Sequence, residues 1–545
     1  MSLPNSVNNH LKFLTAEVCS QLSNLQLLIS RRSSILSQQV IERSGHTYNL
    51  KLRVHAECLQ VLRSEQNKDL DIVTLRAVED IATKLENIAS LCQDCTRQIN
   101  QLESRQVLKK LSYKKWLHKI ALALQQIDEL LKTTDTDKAL KIGGLQDKVG
   151  RFYRSTSDEL IKSLKKHKSA EDIVTALFIA RHIHEMSQAV LEITEAIISV
   201  NVGQTMPIER YRALRALIEG LELNDDWRSL NVRSLADTRS GSAISGVIDP
   251  TQKNTKKPYL AVFKDGQTNK VLEEHQGVTK WHKLYPGIAP KILSQHTEGA
   301  TSALMIEHLP GDTFEKIILN GSDKAIYKAL KYFTRTLESI WDATKQKENI
   351  PPKHCQQLSK RLPTVYGLHP EFESLKFEGK TISGLLEQAK KIEQKLVSPF
   401  TVYIHGDLNV DNIIYDRQQR HVYFIDLHRS RHMDYVQDIA VFMVSNYRLP
   451  ITDELTRLRT HHIIERFYQF VSDYAERNND KTFQLRLALG LARSFASSTR
   501  FTLDTPLANS MFITALHLLN LVIKTSLKKQ HEFTLTIKDI MNASS

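Results

Sequence analysis

Residues 405–415 have the sequence HGDLNVDNIIY, and residues 422–427 have the sequence VYFIDL after a short polar turn. Phosphoryl transfer from ATP needs a carboxylate to orient the attacking hydroxyl, and an amide oxygen with a second carboxylate to hold magnesium at the phosphates. Asp407, Asn412 and Asp426 supply these three groups. The two apolar runs predict a β-hairpin that returns Asp426 to the loop carrying the other two. The stretch therefore predicts a phosphoryl-transfer centre.

An ordinary turn is the alternative interpretation of the His-Gly-Asp tripeptide, because glycine and aspartate are common turn residues. The joint spacing of HGDxxxxN, an apolar strand and a later Ile-Asp argues against it. This pattern resembles the aminoglycoside phosphotransferase and choline kinase-like family of small-molecule kinases, which have a bilobal protein kinase-like fold. The resemblance implies that Asp407 is the catalytic base, that Asn412 and Asp426 bind Mg²⁺, and that His405 supports the catalytic loop.

The segment upstream has the features expected of an ATP-binding lobe. A strand-like run from 232 to 247 is interrupted by a turn rich in serine and glycine. Backbone amides there would approach phosphates closely, with a plain hairpin turn as the alternative; the candidate residues are Gly241, Ser242 and Gly246. The next apolar run, YLAVFK, ends in Lys264, which the resemblance assigns to the ATP phosphates. A solvated lysine at a strand end is the alternative.

The predicted helix after Lys264 offers two glutamates as partners for this lysine. Glu274 shares its face with apolar residues at i−3, i+4 and i+7, whereas Glu273 shares its face with a glycine and a lysine. We therefore expect Glu274 to point inward and pair with Lys264.

Residues 303–311 predict a strand that leads into a turn. In the family such a segment is the hinge between the lobes. The resemblance therefore implies that backbone groups from Glu307 to Leu309 contact adenine, with a surface position for the Glu307 side chain as the alternative.

Residues 433–440, MDYVQDIA, resemble the family's GDPxxDLA element. The resemblance places Asp438 at the position that braces the catalytic loop. Met433 and Tyr435 replace the family's glycine and proline, so the resemblance does not define the geometry of this turn.

A basic segment, HRSRH at 428–432, lies between Asp426 and that element. Cationic side chains beside the transferring phosphate predict an anionic acceptor, such as a sugar phosphate or an acidic glycolipid. The candidate contacts are His428, Arg429 and Arg431, and a merely solvated basic loop is the alternative. The segment also resembles that of lipopolysaccharide core kinases, which favours a saccharide.

The N-terminal region has no proline between Pro4 and Pro207, and its apolar residues recur at i, i+3 and i+4. This pattern predicts an all-helical region with long helices at 70–99, 108–131 and 170–200. Long antiparallel helices joined by short polar turns form a bundle.

Residues 82–90 and 180–188 resemble each other, which predicts an internal duplication. Both also resemble the repeated helices of PhoU, the phosphate-regulon bundle, which implies an interaction or sensing domain. Of the positions that carry metal-binding acids in PhoU-type bundles, only Glu86 remains acidic, so we expect this domain to bind no metal. An unspecialised helical extension is the alternative.

At 545 residues, the chain exceeds the size at which one core keeps growing. We predict an α+β protein with a PhoU-like bundle at 1–205, a connecting helix at 206–226, a small lobe at 227–310 and a large lobe at 311–545. An apolar run at 511–523 is too short and interrupted to span a bilayer and predicts a core helix.

Composition bounds the class of protein further. The absence of a signal-like N-terminus and the presence of only five cysteines predict a cytoplasmic protein. Cys92 and Cys95 are interpreted as helix packing rather than as a redox or zinc pair. The net charge is +13, but basic residues are dispersed without an aromatic platform, so no nucleic-acid partner is expected. Peripheral contact with anionic lipid stays open.

These patterns predict an ATP- and Mg²⁺-dependent phosphotransferase that acts on a hydroxyl of a small molecule and carries a regulatory bundle. One alternative is a protein kinase that modifies a partner or itself, because this fold serves both kinds of acceptor. Another is a weakly catalytic nucleotide-binding regulator linked to phosphate signalling, with a protein partner bound through the bundle. The sequence does not identify the acceptor.

Overall fold

The computed structural model describes residues 3–63, 72–109, 111–133, 135–164, 169–219, 231–237, 243–248, 259, 261–298, 301–451, 453–525, 533–536 and 540. Contacts divide the chain into two compact units, residues 1–234 with 247–252, and residues 235–246 with 253–545. The first unit is largely helical, and the second combines a mixed set of strands with helices.

The helices of the first unit are α1 (Asn5–Ser30), α2 (Ser34–Glu42), α3 (Ser44–Arg63), α4 (Ile72–Gln101), α5 (Gln106–Lys109), α6 (Tyr113–Leu124), α7 (Ile127–Thr133), α8 (Thr136–Gly143), α9 (Leu145–Leu164), α10 (Ala170–Val202) and α11 (Ile208–Glu219). The prediction of one helix over 108–131 is wrong, because three helices occupy this range. The backbone N–H of Gln126 donates to Ala123 O rather than to Leu122 O, as it would in a continuing α-helix. This ends α6, although apolar residues continue to recur at helical spacing beyond it.

The first unit is built around α4 and α10, which pack along each other. Helices α1 and α3 pack on α4, whereas α6 and α9 pack on α10. This gives two sets of three helices, as an internal duplication would produce. At the predicted PhoU-like positions, Glu86 pairs with Lys51 at 2.9 Å and the His184 ring stacks on Tyr153 at 5.1 Å.

All five cysteines are free thiols, and four of them are buried. Cys92 and Cys95 are buried in the core of α4, which agrees with their interpretation as packing residues. Burial raises the pKa of Cys19 to about 11 and, together with nearby glutamates, the pKa of Cys58 to about 12. Burial also raises the pKa of Cys355, which belongs to the second unit.

The small lobe contains a five-stranded sheet in the order β1-β2-β3-β5-β4 and one long helix. These elements are β1 (Asn231–Asp237), β2 (Ala243–Ile248), β3 (Ala261–Gln267), α12 (Thr268–Leu284), β4 (Ile292–Glu298) and β5 (Thr301–Glu307). Strands β3 and β5 pair antiparallel, with Lys264 opposite Leu304. Lys264 therefore lies in the middle of its strand rather than at the predicted end. Val271 of α12 packs on Leu304 and Ile306, which holds the helix against the sheet.

The large lobe contains β6 (Asp312–Thr313), α13 (Phe314–Asn320), α14 (Asp323–Thr344), α15 (His354–Leu368), β7 (Lys376–Phe377), β8 (Lys380–Thr381), α16 (Ile382–Glu393), β9 (Val402–Ile404), β10 (Ile413–Asp416), β11 (His421–Phe424), β12 (Arg431–Met433), α17 (Val436–Tyr447), α18 (Glu454–Arg477), α19 (Phe483–Ser498) and α20 (Thr505–Lys524). Short 3₁₀ segments lie at Pro370–Ser374, Val410–Asn412 and Thr499–Phe501. One hydrophobic core joins these elements, with α17 and α15 packed on α19.

Helix α20 begins at Thr505, earlier than the predicted apolar run, because the Asp504 side chain caps it by accepting from Leu507 N at 2.9 Å. Within the described residues it is the one helix that is long and apolar enough to cross a membrane. However, 56% of its apolar window is buried inside the protein, where it packs on α16 and α19. This packing is that of a core helix.

Candidate active site

The predicted catalytic loop, residues 405–412, lies between β9 and a β-hairpin. Strands β10 and β11 pair antiparallel, with Ile413 opposite Phe424, and the Ile425 amide donates to Asn412 O at 3.0 Å. The hairpin therefore brings the residue before Asp426 directly against Asn412. This local geometry follows from the two apolar runs and the polar turn between them.

Asp438 holds the start of the catalytic loop. Its carboxylate accepts the backbone N–H of His405 at 2.7 Å and that of Gly406 at 2.8 Å. Burial raises the pKa of Asp438 to about 6, even though both hydrogen bonds act in the opposite direction. Gly406 has a φ of +85°, and a Cβ there would lie 2.3 Å from Arg429 O. Glycine is thus required both by the backbone conformation and by the close approach of the next loop.

His405 connects the catalytic loop with the segment before Asp426. Its Nε2 lies 2.9 Å from Ile425 O, and its ring packs edge-on against Phe424. Its backbone carbonyl accepts from the Ser430 hydroxyl at 3.1 Å. His405 therefore ties the loop that carries Asp407 to residues 424, 425 and 430.

Asp407 points its carboxylate at two side chains. Oδ1 accepts from Asn409 Nδ2 at 2.8 Å, and Oδ2 accepts from Arg429 Nη1 at 2.7 Å. Asn412 donates through Nδ2 to Asp407 O at 2.9 Å. This bond ties the Asn412 side chain to the backbone of the loop that carries Asp407.

Lys264 lies between two carboxylates. Its Nζ is 2.6 Å from Asp426 Oδ1 and 3.5 Å from Glu274 Oε2. Glu274 is 2% exposed, whereas the neighbouring Glu273 is exposed, so the helical phase orients these two glutamates as expected. Burial opposes the charge on Lys264, but Glu274 and Asp426 outweigh it and raise the pKa of the ammonium group.

Asp426 is held in a strained conformation with a φ of +63°, which residues other than glycine seldom adopt. Burial opposes its ionisation, but a hydrogen bond from His428 and the charge of Lys264 keep its pKa well below the usual range. The carboxylate is thus an anion fixed two residues after the end of β11.

The donor set of this site suits magnesium, which prefers carboxylate and amide oxygens. Glu274, Asp426 and His428 each place a possible ligand atom within 4.8 Å of the other two. Glu274 Oε2 is buried and has no hydrogen bond from any described residue, although Lys264 is near. Because histidine is a poor magnesium ligand, Asp426 is better suited than His428 to hold the ion, and the role of Asn412 as a second ligand stays a prediction.

Of the predicted phosphate-binding turn, Gly241 and Ser242 lie outside the described residues. The placement of Gly246 in this turn is wrong, because it is buried within β2. A Cβ at Gly246 would come within 2.2 Å of the Tyr259 ring, so the glycine makes room for that ring. The described part of this lobe therefore gives Gly246 a packing role.

The predicted hinge follows β5. Glu307 is the last residue of that strand, and its backbone N–H donates to Lys291 O at 2.9 Å. Leu309 is buried, with 6% of its surface exposed. Beyond it, Gly311 has a φ of +113° and approaches Tyr415 O so closely that a Cβ would lie 2.5 Å away.

The three candidate acceptor contacts separate in the structure. His428 lies 3.3 Å from Asp426 Oδ1 and 3.8 Å from Glu274 Oε2, so it faces the lysine and carboxylate cluster. Arg429 contacts Asp407, whereas Arg431 is exposed on β12. The basic segment is thus not one surface, because His428 and Arg429 lie in a turn closed by the Ser430 N–H donating to Leu427 O at 3.1 Å, whereas Arg431 begins β12.

Residues 267–466 match the model of the phosphotransferase enzyme family. The chain carries a phosphotransferase domain. The matched range includes Glu274, Asp407 and Asp426, whereas Lys264 precedes it by three residues.

Solved structures similar to this chain include a PhoU protein, an aminoglycoside phosphotransferase and an ethanolamine kinase. The N-terminal helical region matches PhoU from Pseudomonas aeruginosa, at 20% identity and a TM-score of 0.34, over 36% of this chain and 96% of that chain. An aminoglycoside-3'-phosphotransferase of type VIII matches at 17% identity and 0.33, over 52% and 96% of the two chains. An ethanolamine kinase from Plasmodium vivax matches at 16% identity and 0.35, over 57% and 88%. No curated protein matches the chain.

The phosphotransferase domain contains a buried charged cluster that sequence reasoning missed. Arg486 of α19 is fully buried and pairs with both Asp434 and Asp480. Tyr435 is buried beside them and donates its hydroxyl to Asp480 Oδ2 at 2.6 Å. Tyr435, which replaces the family's proline, is therefore a core residue that ties the turn to α19.

Helix α12 approaches the segment after Asp426 more closely than its sequence indicated. Gly277, placed on the outer face by periodicity, is buried, and a Cβ there would lie 2.3 Å from Leu427 O. Trp281 Nε1 donates to the Ser430 hydroxyl at 2.8 Å. Two turns of α12 thus fix the loop that follows Asp426.

Proposed function

We propose that the phosphotransferase domain moves the γ-phosphate of ATP to a hydroxyl of a small molecule with the help of Mg²⁺. The observation that supports this most directly is the ion-pair chain from Glu274 through Lys264 to Asp426. This chain brings a cation for the ATP phosphates and a carboxylate for magnesium together at one point. A structural ion pair would not need the strained backbone of Asp426.

Each side chain then has a separate task. Lys264 exchanges its contact with Asp426 for the α and β phosphates, while Glu274 keeps the ammonium group in place. Asp426 and Asn412 would hold Mg²⁺, which when bound neutralises charge on the phosphates of ATP. Most of the rate gain in such a site comes from positioning and from charge neutralisation.

Asp407 orients the acceptor hydroxyl and takes its proton. In the structure its Oδ2 is occupied by Arg429, whose side chain is 44% exposed. The arginine therefore has to leave Oδ2 before a hydroxyl can bind there. Its long side chain and exposure make that movement inexpensive.

Titration of ATP by calorimetry, with and without Mg²⁺, tests this proposal. We expect Mg²⁺-dependent binding in the wild type and its loss in Asp426→Asn, which has nearly the same shape without the charge. Binding that is indifferent to Mg²⁺ and to this substitution would overturn the proposal. Incubation with ATP alone tests the acceptor class, because phosphate on a serine or threonine of the chain itself would indicate a protein kinase.

A further inference from the structure

The large lobe places unpaired arginine nitrogens near the catalytic aspartate. Arg493 of α19 is 9% exposed, and its Nε and Nη2 are buried without a hydrogen-bond partner among the described residues. Nη1 of Arg500, in the 3₁₀ segment after α19, is buried and unpaired in the same described part of the chain. Buried charged donors are costly unless something accepts their hydrogen bonds. These nitrogens therefore need an acceptor.

Three further arginines belong to the same region. Arg429 contacts Asp407, and Arg448 Nη2 donates to Asn409 Oδ1 at 3.0 Å. Arg361 is on α15, which packs on α19 and on the 3₁₀ segment that carries Arg500. Together, Arg361, Arg429, Arg448, Arg493 and Arg500 form what we call the arginine cluster.

The arginines of the cluster repel one another, and the nearby carboxylates of Asp407 and Asp438 offset this repulsion and the effect of burial only in part. Burial, opposed in part by Asp407 and reinforced by Arg361, lowers the pKa of Arg493 to about 10. Burial and the charges of Arg361 and Arg429 lower the pKa of Arg500 to about 10. Mutual repulsion of this kind is relieved when an anion binds.

We propose that the arginine cluster is a subsite for a phosphate group that the acceptor already carries. This inference rests on the proposed function and deepens it, since it makes the acceptor a phosphorylated hydroxyl compound of the sugar-phosphate type. The guanidinium groups of Arg493 and Arg500 bind the phosphate oxygens, for which their planar fork of donors is well suited. The acceptor hydroxyl then lies at Asp407.

The transfer balances as a single displacement. The acceptor oxygen forms a bond to the γ-phosphorus of ATP, the bond from that phosphorus to the bridging oxygen of ADP breaks, and the hydroxyl proton passes to Asp407. The products are ADP and an acceptor with two phosphate groups. An acceptor phosphate also attracts Arg429 away from Asp407 Oδ2, so anion binding uncovers the base.

A first experiment measures binding of inorganic phosphate by phosphorus NMR line broadening, which needs no turnover. We expect saturable binding on the order of millimolar affinity. It should be lost in Arg493→Met and in Arg500→Met, and retained in Lys264→Met and in Arg335→Met, which removes an exposed arginine of α14. Methionine fills the buried volume without charge, and Arg493→Lys retains charge without the fork. Circular dichroism verifies that each variant is folded.

The outcomes separate the two proposals. Phosphate binding that only Lys264→Met abolishes would place the anion in the nucleotide site and overturn the subsite, as would the absence of saturable binding. Loss of phosphate binding in both Arg493→Met and Arg500→Met supports the subsite. This holds even if MgATP does not bind, because a failure of MgATP to bind would overturn only the proposed function.

A second experiment compares γ-phosphate transfer to matched acceptors, glucose with glucose 6-phosphate and ribose with ribose 5-phosphate. Where transfer occurs, we expect at least a ~10-fold higher kcat/KM for the phosphorylated member of a pair. Arg493→Met should raise its KM by ~10-fold or more and leave the KM for ATP unchanged. Preference for the neutral sugar would overturn the inference.

Discussion

At the scale of single residues, the site depends on side chains that the fold holds against their usual preference. Asp426 adopts a left-handed backbone, Glu274 is buried with an oxygen that lacks a hydrogen bond from any described residue, and Arg486 is a fully buried cation. Strained or buried polar residues cost of order 1–3 kcal/mol each and persist where the surroundings fix them. We therefore expect conservative substitutions of these residues to alter stability or activity.

The adjacent glutamates of α12 allow a matched comparison. Glu274→Gln removes the carboxylate that lies 3.5 Å from Lys264 Nζ, so we expect kcat/KM for ATP to fall by about 10²-fold, because the lysine loses its position. Glu273→Gln changes an exposed residue and should leave kcat/KM within about twofold. Steady-state kinetics on the two variants measures this difference. Equal effects would contradict the assignment of Glu274.

The hydroxyl of Tyr435 provides a second residue-scale prediction. Tyr435→Phe removes the donor to Asp480 Oδ2 and leaves Arg486 as the remaining described partner of that oxygen. We expect the free energy of unfolding to fall by about 1–2 kcal/mol, measured by urea denaturation. Tyr327→Phe, at a residue 39% exposed, should change it by less than about 0.5 kcal/mol. An unchanged denaturation midpoint for Tyr435→Phe would show that this hydrogen bond does not stabilise the fold.

The sequence predicted these residues unevenly, for physical reasons. Asp407 and Asp426 are found by spacing along the chain, because the loop and hairpin that join them are local. Arg486, Arg493 and Arg500 are far from both in sequence, and their function depends on how helices pack. The seven-residue spacing of Arg486 and Arg493, within an apolar segment, was the available signal, since i and i+7 share one helical face. Arg500 lies beyond the end of α19, so this signal does not include it.

At the scale of elements, helix α12 contacts both the small-lobe sheet and the loop that follows Asp426. It packs on β5 through Val271, and it meets Leu427 through Gly277. The phase of this helix could be predicted because charged and apolar residues alternate around it. Its contact with Leu427 could not, since glycine carries no apolar signal. In the first unit, the same reliance on periodicity missed the breaks around α6, where the apolar pattern continues without interruption.

Gly277→Ala tests this contact. Alanine should stabilise an isolated helix by about 1 kcal/mol relative to glycine, but its Cβ would lie 2.3 Å from Leu427 O. Overpacking against backbone costs about 1–3 kcal/mol, so we expect net destabilisation and a loss of activity of at least ~10-fold. Thermal unfolding and kinetics measure both effects. Gly367→Ala in α15, where nothing lies within 4 Å of the added Cβ, should be neutral or stabilising. Destabilisation by this control would mean that Gly→Ala changes destabilise these helices in general, and not through the contact with Leu427.

At the scale of the whole molecule, each of the two units has its own hydrophobic core. Length and the absence of breakers predicted the helical unit, and the catalytic spacing predicted the other. The predicted boundaries at 205, 226 and 310 stay predictions. What composition could not supply is the pairing of helices, because α4 and α10 lie far apart in the sequence.

Two cores predict two unfolding transitions in calorimetry. MgATP at about 100 times its Kd should stabilise the phosphotransferase unit by about 2.7 kcal/mol and leave the other transition in place, because a ligand stabilises only what binds it. Ile88→Ala, at a fully buried position of α4, should lower the free energy of unfolding of the helical unit by about 2–5 kcal/mol. The transition that moves to lower temperature in this variant is therefore that of the helical unit. A single transition that moves in both experiments would show that the units unfold together.

The distribution of thiols makes the chain its own reporter of which part has opened. Four cysteines belong to the helical unit and one, Cys355, to the phosphotransferase unit. Alkylation requires an accessible thiolate, and burial together with a raised pKa suppresses it in the folded state. After a short pulse of iodoacetamide at increasing urea, the mass of the intact chain counts the modified thiols. Opening of the phosphotransferase unit adds one label, whereas opening of the helical unit adds up to four, so mass alone gives the order of unfolding without any introduced probe.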